Sequence, residues 1–226
     1  MKYSEIFYSI QGEGALAGVP SVFFRTSYCN LRCVWCDTPY TSWEPENKDI
    51  SVEEAAEAIL RYNCPHVVIT GGEPTIQADE LTKLCAALSD AGMHITIETN
   101  GTVYVPVQAD LISISPKLSN SNPPPESRAF RFHQAKRVNL TVIRQYLQSH
   151  ECQVKFVVDA PSDLAEIERI AKEAEIPPRQ TLLMPQGVST DETRPKMRQL
   201  AEICRQKGYR LSPRLHVDIW GNRRGV

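Results

Sequence analysis

Cys29, Cys33 and Cys36 fall in the run Tyr28-Cys-Asn-Leu-Arg-Cys-Val-Trp-Cys-Asp-Thr38, a C-x3-C-x2-C spacing that lets three thiolates wrap one soft metal centre. A closed structural zinc site takes four ligands, usually as two separated pairs. A four-iron cluster held by three protein thiolates instead keeps one iron free for an outside ligand. That open iron gives an electron-transfer group a catalytic position. The spacing therefore favours a [4Fe-4S] cluster, with zinc completed by a distant histidine as the competing reading.

Further polar motifs follow: Thr70-Gly-Gly-Glu-Pro74, Glu98-Thr-Asn-Gly101, Ser115-Pro-Lys117 and Met184-Pro-Gln-Gly187. Two adjacent glycines admit a ligand close to the backbone, and the carboxylate of Glu73 can accept from an ammonium group. Arg25 offers a planar fork of donors suited to a carboxylate. Singly, each has an ordinary explanation: a turn at the glycine pair, solvated charges at Glu98 and Lys117, a surface ion pair at Arg25. Together they argue for a ligand site, because each closes an apolar run.

Those runs must position them. Segments at 21–26, 66–70, 94–98, 111–115, 153–158 and 181–184 read as strands, and helix-period segments occupy 51–62, 79–91, 135–149, 162–175 and 191–207. Ser51 and Glu54 make a capping box, while Gly92 and Gly208 stop two of the helices. Regular alternation of strand and helix implies βαβ units about a parallel sheet. About six such units make a partial (βα)6-type barrel, shorter than the closed eight-fold one. In such folds chemistry gathers at the carboxyl ends of the strands, which is where these motifs lie.

The 226 residues read as a single domain, 1–226, with a cluster loop at 27–38 and a proline-rich loop at 119–127. A chain of this size buries roughly 70–75% of its unfolded surface, a core that needs no staples. A net charge of −2 argues against a strongly electrostatic nucleic-acid binder, and the basic group Arg128, Arg131, Lys136 and Arg137 reads as a solvated helix face. Cys64, Cys85, Cys152 and Cys204 are scattered over turn and core-facing positions and form no disulfide framework. The opening residues lack the apolar stretch of a signal peptide, and no run reaches the length of a membrane span. A reducing cytoplasm is the expected compartment.

With the cysteine spacing, the Gly-Gly-Glu-Pro loop and a partial parallel barrel together, the chain resembles the radical S-adenosylmethionine superfamily. The resemblance implies that Cys29, Cys33 and Cys36 hold a [4Fe-4S] cluster whose open iron chelates the amino and carboxylate groups of S-adenosylmethionine. It places Thr70, Gly71, Gly72 and Glu73 at the methionine amino end, and Ser115, Pro116 and Lys117 at its carboxylate. Leu183, Met184, Pro185 and Gln186 fall at the adenine, with Trp35, Cys36 and Asp37 beside the cofactor.

A closer resemblance is to the 7-carboxy-7-deazaguanine synthase family. It rests on Glu5-Ile-Phe-Tyr-Ser-Ile-Gln-Gly-Glu-Gly14, Gly18-Val-Pro, Phe24-Arg25, Trp35-Cys-Asp-Thr38, Ile97-Glu-Thr-Asn-Gly-Thr102 and the ending Leu215-His-Val-Asp-Ile-Trp-Gly-Asn-Arg-Arg-Gly-Val226. The resemblance covers most of the chain. It implies a lyase that converts 6-carboxy-5,6,7,8-tetrahydropterin to 7-carboxy-7-deazaguanine with loss of ammonia, on the route to queuosine and other 7-deazapurines. By this resemblance Ile10, Gln11, Gly12 and Glu13 face the pterin edge and Arg25 takes its carboxylate. Thr70, His216 and Val226 complete the substrate site, and Thr38 binds a substrate-held Mg2+. A one-electron donor such as flavodoxin and a homodimer are also implied, with no nucleic-acid or membrane partner. The alternative within the superfamily is an activating enzyme that installs a glycyl radical on a partner protein, which has no use for Arg25 or Thr38. Outside it, the alternative is a zinc-stabilised binding module.

Overall fold

The computed structural model describes residues 1–226. β1 (Lys2–Ile10) and β2 (Pro20–Thr26) form an antiparallel hairpin, with the two-residue edge strand β3 (Lys48–Asp49) on the far side of β1. From β2 onward the sheet is parallel. α1 (Val52–Leu60) leads to β4 (His66–Gly71) and α2 (Ala78–Asp90) to β5 (His94–Thr99), while β6 (Leu111–Ile114) is reached by a loop without a helix. α3 (Phe130–Lys136) and α4 (Leu140–Ser149) lead to β7 (Cys152–Val158), and α5 (Asp163–Glu173) leads to β8 (Thr181–Pro185). α6 (Thr190–Lys207), β9 (Arg210–Leu211) and the short α7 (Leu215–Trp220) follow. The strand order β3-β1-β2-β4-β5-β6-β7-β8-β9 never returns to its start, so the barrel is partial and open, as the alternation implied.

Alternation along each strand divides its residues between two faces. Val22, Phe24, Val67, Ile69, Val154 and Phe156 join the helices in one outer core. Their neighbours Phe23, Arg25, Val68, Thr70, Lys155 and Val157 line a cavity on the inner side. β6 and β7 are buried at every residue, as parallel strands covered on both faces must be. The Ser51–Glu54 capping box forms in full, and Gly208 closes α6 at φ 70°. Cys85, Cys152 and Cys204 are packed in the core, and Cys64 is partly covered in its turn.

β1, the short β3 and β9, α7 and the segment 135–149 differ from the sequence expectation. β1 escapes a period-two search because Ile6, Phe7 and Tyr8 are consecutive apolar residues and both faces of the strand are partly covered. The helix expected over 135–149 is divided in two. Asn139 caps α4 by accepting from Val142 N–H, and Arg137 turns inward to pair with Glu166 at 2.6 Å and to donate to the Lys117 carbonyl at 2.9 Å. Arg137 is therefore no part of a solvated face, whereas Arg128, Arg131 and Lys136 are exposed.

Candidate active site

The carboxyl ends of the parallel strands open into one cavity of about 480 Å³, running from the cysteine loop to the N-terminal hairpin. Tyr28, at φ 70°, turns the chain out of β2 into that loop. Bonds to four other segments then fix it. Arg32 N–H donates to Nδ1 of the buried His133 at 3.0 Å and Val34 N–H to the Ser121 carbonyl at 3.0 Å. Trp43 Nε1 donates to the Cys33 carbonyl at 2.9 Å and Asn30 Nδ2 to Thr102 Oγ1 at 2.8 Å. With Nδ1 of His133 accepting, its Nε2 carries the proton toward Ser121 Oγ, 2.9 Å away.

Cys29, Cys33 and Cys36 all line the cavity. Burial pushes the thiol of Cys29 up to about 11 and that of Cys33 up to about 12, so each becomes a ligand when a metal displaces its proton. No three His, Cys, Asp or Glu side chains stand close enough to enclose a single ion. Three thiols spaced about one loop at the cavity wall are the donor set of an iron–sulfur cluster with one open iron, a larger group than a single ion.

The glycine pair has a more local purpose than ligand access. Gly72 N–H donates to the Thr26 carbonyl at 3.0 Å and Glu73 N–H to the Tyr28 carbonyl at 2.9 Å. A Cβ at Gly71 would collide with the Thr26 backbone, and one at Gly72 with the Tyr28 carbonyl. Glycine thus lets β4 carry the cysteine loop at backbone contact, while both residues still line the cavity.

Glu73 itself departs from expectation. Its carboxylate is fully buried off the cavity lining and accepts from Thr75 N–H (3.1 Å), Thr75 Oγ1 (2.7 Å), Thr99 Oγ1 (2.7 Å) and Asn100 N–H (2.6 Å). Burial pushes its pKa up, against the pull of those donors. The side chain clamps the ends of β4 and β5 together and is not turned toward an ammonium ligand. Ser115 and Lys117 do line the cavity beside Trp35; Lys117 Nζ donates to Ser115 Oγ at 2.8 Å and lies 6.0 Å from the Trp35 ring centre.

Toward the hairpin, Ile10, Gln11, Gly12 and Glu13 form one wall. Arg25 Nε pairs with Glu5 Oε1 at 2.8 Å, and the Tyr40 hydroxyl donates to the same oxygen at 3.0 Å. Pairing through Nε leaves the two terminal nitrogens of the guanidinium for a ligand. His216 packs on Gly12, where a Cβ would collide with its Nδ1, and its Nε2 is 3.8 Å from Glu13 Oε1. Burial lowers its pKa, with Glu13 pulling the other way. Thr38 lines the cavity, and its hydroxyl accepts from Thr41 Oγ1 at 3.3 Å in the short turn that follows. Thr70, Asp37 and Val226 also face this space.

Lys155 and Arg214, two charged residues without a role in the sequence reading, complete this end together with Glu98, which is paired rather than solvated. Lys155, whose side chain is 2% exposed, donates to Glu13 Oε2 at 2.5 Å and to Glu98 Oε2 at 3.1 Å. Glu98 also accepts from Gln11 Nε2 at 3.4 Å. Arg214 donates to Glu13 Oε1 (3.1 Å), Asp37 Oδ2 (2.6 Å) and the Gly187 carbonyl. Burial alone would raise the Glu13 carboxyl, but Lys155, Arg214 and His216 outweigh it and hold Glu13 well below the usual carboxylate range. Burial would likewise lower Lys155, yet Glu13 and Glu98 hold it above the ordinary lysine value. One signal for Lys155 was present in the sequence: a charged residue in the middle of an apolar strand must find partners inside the fold.

The adenine assignment concerns the backbone around Leu183 to Gln186. There Met184 lines the cavity, while the Leu183 side chain packs in the outer core and Pro185 and Gln186 lie off the lining. Pro116, expected at the methionine carboxylate, lies off it as well. Strand alternation explains Leu183, which faces opposite to Met184 on β8. Gln186 is engaged elsewhere, its side-chain oxygen accepting from Lys196 at 3.2 Å.

A family model for the Radical SAM superfamily matches residues 23–116, which include the cysteine loop and the glycine pair. The 7-carboxy-7-deazaguanine synthase of Halobacterium salinarum is 41% identical, over 97% of this chain and 90% of its own length. That of Rhodopirellula baltica is 43% identical, over 99% and 88% respectively. The crystal structure of QueE from Escherichia coli matches with a TM-score of 0.70 at 27% identity, covering 93% of this chain and 92% of its own. Similarity of this extent spans the cysteine loop and the charged end of the cavity alike, and the chain belongs to the 7-carboxy-7-deazaguanine synthase family of the Radical SAM superfamily.

Proposed function

We propose that the chain converts 6-carboxy-5,6,7,8-tetrahydropterin to 7-carboxy-7-deazaguanine with loss of ammonia, as a carbon–nitrogen lyase of 7-deazapurine and queuosine biosynthesis. The observation that supports this most directly is that three thiols and a guanidinium–carboxylate constellation share one cavity. Superfamily membership implies a [4Fe-4S] cluster and S-adenosylmethionine. When bound, they supply the one-electron chemistry that removes a hydrogen atom from a substrate carbon.

The chain's own residues bind and orient. Cys29, Cys33 and Cys36 hold the cluster. The backbone of Gly71 and Gly72, the Lys117 ammonium, Ser115, Trp35 and Met184 suit S-adenosylmethionine. Arg25 takes the pterin carboxylate with its free terminal nitrogens, a bidentate match that a lysine does not offer. Backbone groups of Ile10 to Gly12 and the Glu13 carboxylate complement the mixed donor and acceptor edge of the ring. Thr38 contributes one hydroxyl to Mg2+, an ion that keeps several waters and takes other ligands from substrate. Phe7, Phe23 and Val68 make the intervening wall apolar and keep water from it.

An external one-electron donor such as flavodoxin belongs to this reading, because the four remaining cysteines are dispersed and offer no second cluster. A homodimer in the cytoplasm belongs to it as well; no helix is long and apolar enough to cross a membrane. The test is anaerobic incubation with carboxytetrahydropterin, S-adenosylmethionine, Mg2+ and dithionite, with product identified by mass. The expected outcome is 7-carboxy-7-deazaguanine with ammonia released. An intact, reducible cluster that yields no deazapurine would sink the proposal.

A further inference from the structure

The charge network at the hairpin end has a centre that none of the roles above uses. Lys155 rises from the middle of β7, its side chain almost wholly buried, and its ammonium bridges two carboxylates from separate parts of the chain. Glu13 arrives from the loop after β1, and Glu98 from β5. Both line the cavity, as does Lys155. Two carboxylates brought to one ammonium would otherwise repel each other, and either would take up a proton rather than stay charged among buried groups. A protonated carboxyl donates where an ionised one only accepts. The state of the pair therefore decides which ligand edge it can meet.

We infer that Lys155 is a positioning residue that holds Glu13 and Glu98 together as one acceptor-only surface for the N–H donor edge of the substrate ring. The inference rests on the pterin reading above and deepens it. It assigns Glu98 as the second acceptor beside Glu13, and it makes the 2-amino and N3–H groups of an aminopyrimidinone the feature selected. A ring whose edge offers only acceptors would face two carboxylates whose intervening donor, the Lys155 ammonium, is already committed to them, which leaves buried polar groups unpaired.

The groups facing this pair come from every neighbouring element. Glu98 stands on β5 and Lys155 on β7; Arg214 and His216 come from the C-terminal segment, and Asp37 from the cysteine loop through Arg214. The other cations lining this end are Arg25 on β2 and Arg223 and Arg224 near the C-terminus, of which Arg25 and Arg224 both pair with Glu5. Lys155 is the one cation that contacts both the Glu13 and the Glu98 carboxylate. Removing its charge leaves Glu98 without a cation, while Glu13 retains Arg214.

The test is equilibrium binding of 6-carboxypterin, which carries the same donor edge and does not turn over, followed by its own fluorescence from pH 5 to pH 7, below the range in which the ring loses its N3 proton. Wild type is expected to bind with nearly constant affinity across that range. Lys155→Met is expected to bind at least tenfold more weakly at pH 7, with affinity falling further toward pH 5 as an unneutralised carboxylate takes up a proton. Lys155→Gln, which keeps hydrogen-bond donors without the charge, carries the same test if the methionine variant does not fold. A charge-free variant that binds with the wild-type affinity and pH profile overturns the inference while leaving the pterin reading intact. Wild type that fails to bind 6-carboxypterin overturns the reading, and the inference with it.

Discussion

Arg25 reaches the cavity with part of its fork already committed, because Nε holds Glu5 while the terminal nitrogens stay free. That division makes a specific prediction. Arg25→Ala should weaken binding of 6-carboxypterin by about 2 kcal/mol, the cost of removing one partner of a charge-assisted pair. Pterin lacking the carboxylate should lose far less, so the ratio of the two dissociation constants is the measurement. Equal losses would assign Arg25 to packing. At this scale legibility depended on sequence distance. The cysteine trio is local, and its spacing alone carried the chemistry. Glu13 and Arg214 lie 201 positions apart, and Glu13 and Lys155 142 apart, so no window of sequence could pair them.

The cysteine loop has little regular structure of its own and takes its shape from the elements around it. His133 on α3 is one anchor and Glu73 another. Glu73→Ala should cost about 3 kcal/mol of stability in the metal-free chain, because buried donors on Thr75, Thr99 and Asn100 lose their acceptor. Chemical denaturation measures it, and a loss below about 1 kcal/mol would mean water takes the carboxylate's place. His133 supplies a pH dependence. Burial holds its imidazole down to about 4 from an ordinary 6.5, with Arg137 and Lys117 adding to the shift. The unfolded chain therefore protonates first on acidification, so its contribution is full above pH 6.5 and is lost as pH falls toward 4. Denaturation midpoints of the metal-free chain should fall over that window, and His133→Leu should flatten this part of the profile.

Strand and helix positions were largely legible from apolar period and caps. The break between α3 and α4 was not. It depends on Arg137 finding Glu166 and Lys117, partners that only the tertiary fold supplies.

Across the whole molecule, the apolar core lies between sheet and helices, and the chemistry lies on the other side of the same sheet. Cluster assembly should accordingly be separable from folding. Cys29→Ala should abolish the cluster, read as iron and sulfide content, yet keep the far-UV circular dichroism and a cooperative unfolding transition. A small metal-organised domain would behave in the opposite way and unfold when its metal is removed. The open, partial barrel was legible from the run of βαβ units. The antiparallel hairpin that adds Ile10 to Glu13 to the cavity was not, because the residues of β1 do not alternate between apolar and polar.

The two faces of each strand also give the protein a parity. Lys155 faces the cavity and Phe156 the outer core solely because their positions differ by one. Deleting a single residue early in β7 would exchange the two sets, placing an ammonium among the helices and a phenyl ring against Glu13. Length changes within these strands are therefore far more disruptive than most substitutions, and the chain can vary in length only in its connecting loops. Substitutions at inner positions such as Phe23, Val68 and Val157 can alter what the cavity accepts while leaving the outer core unchanged.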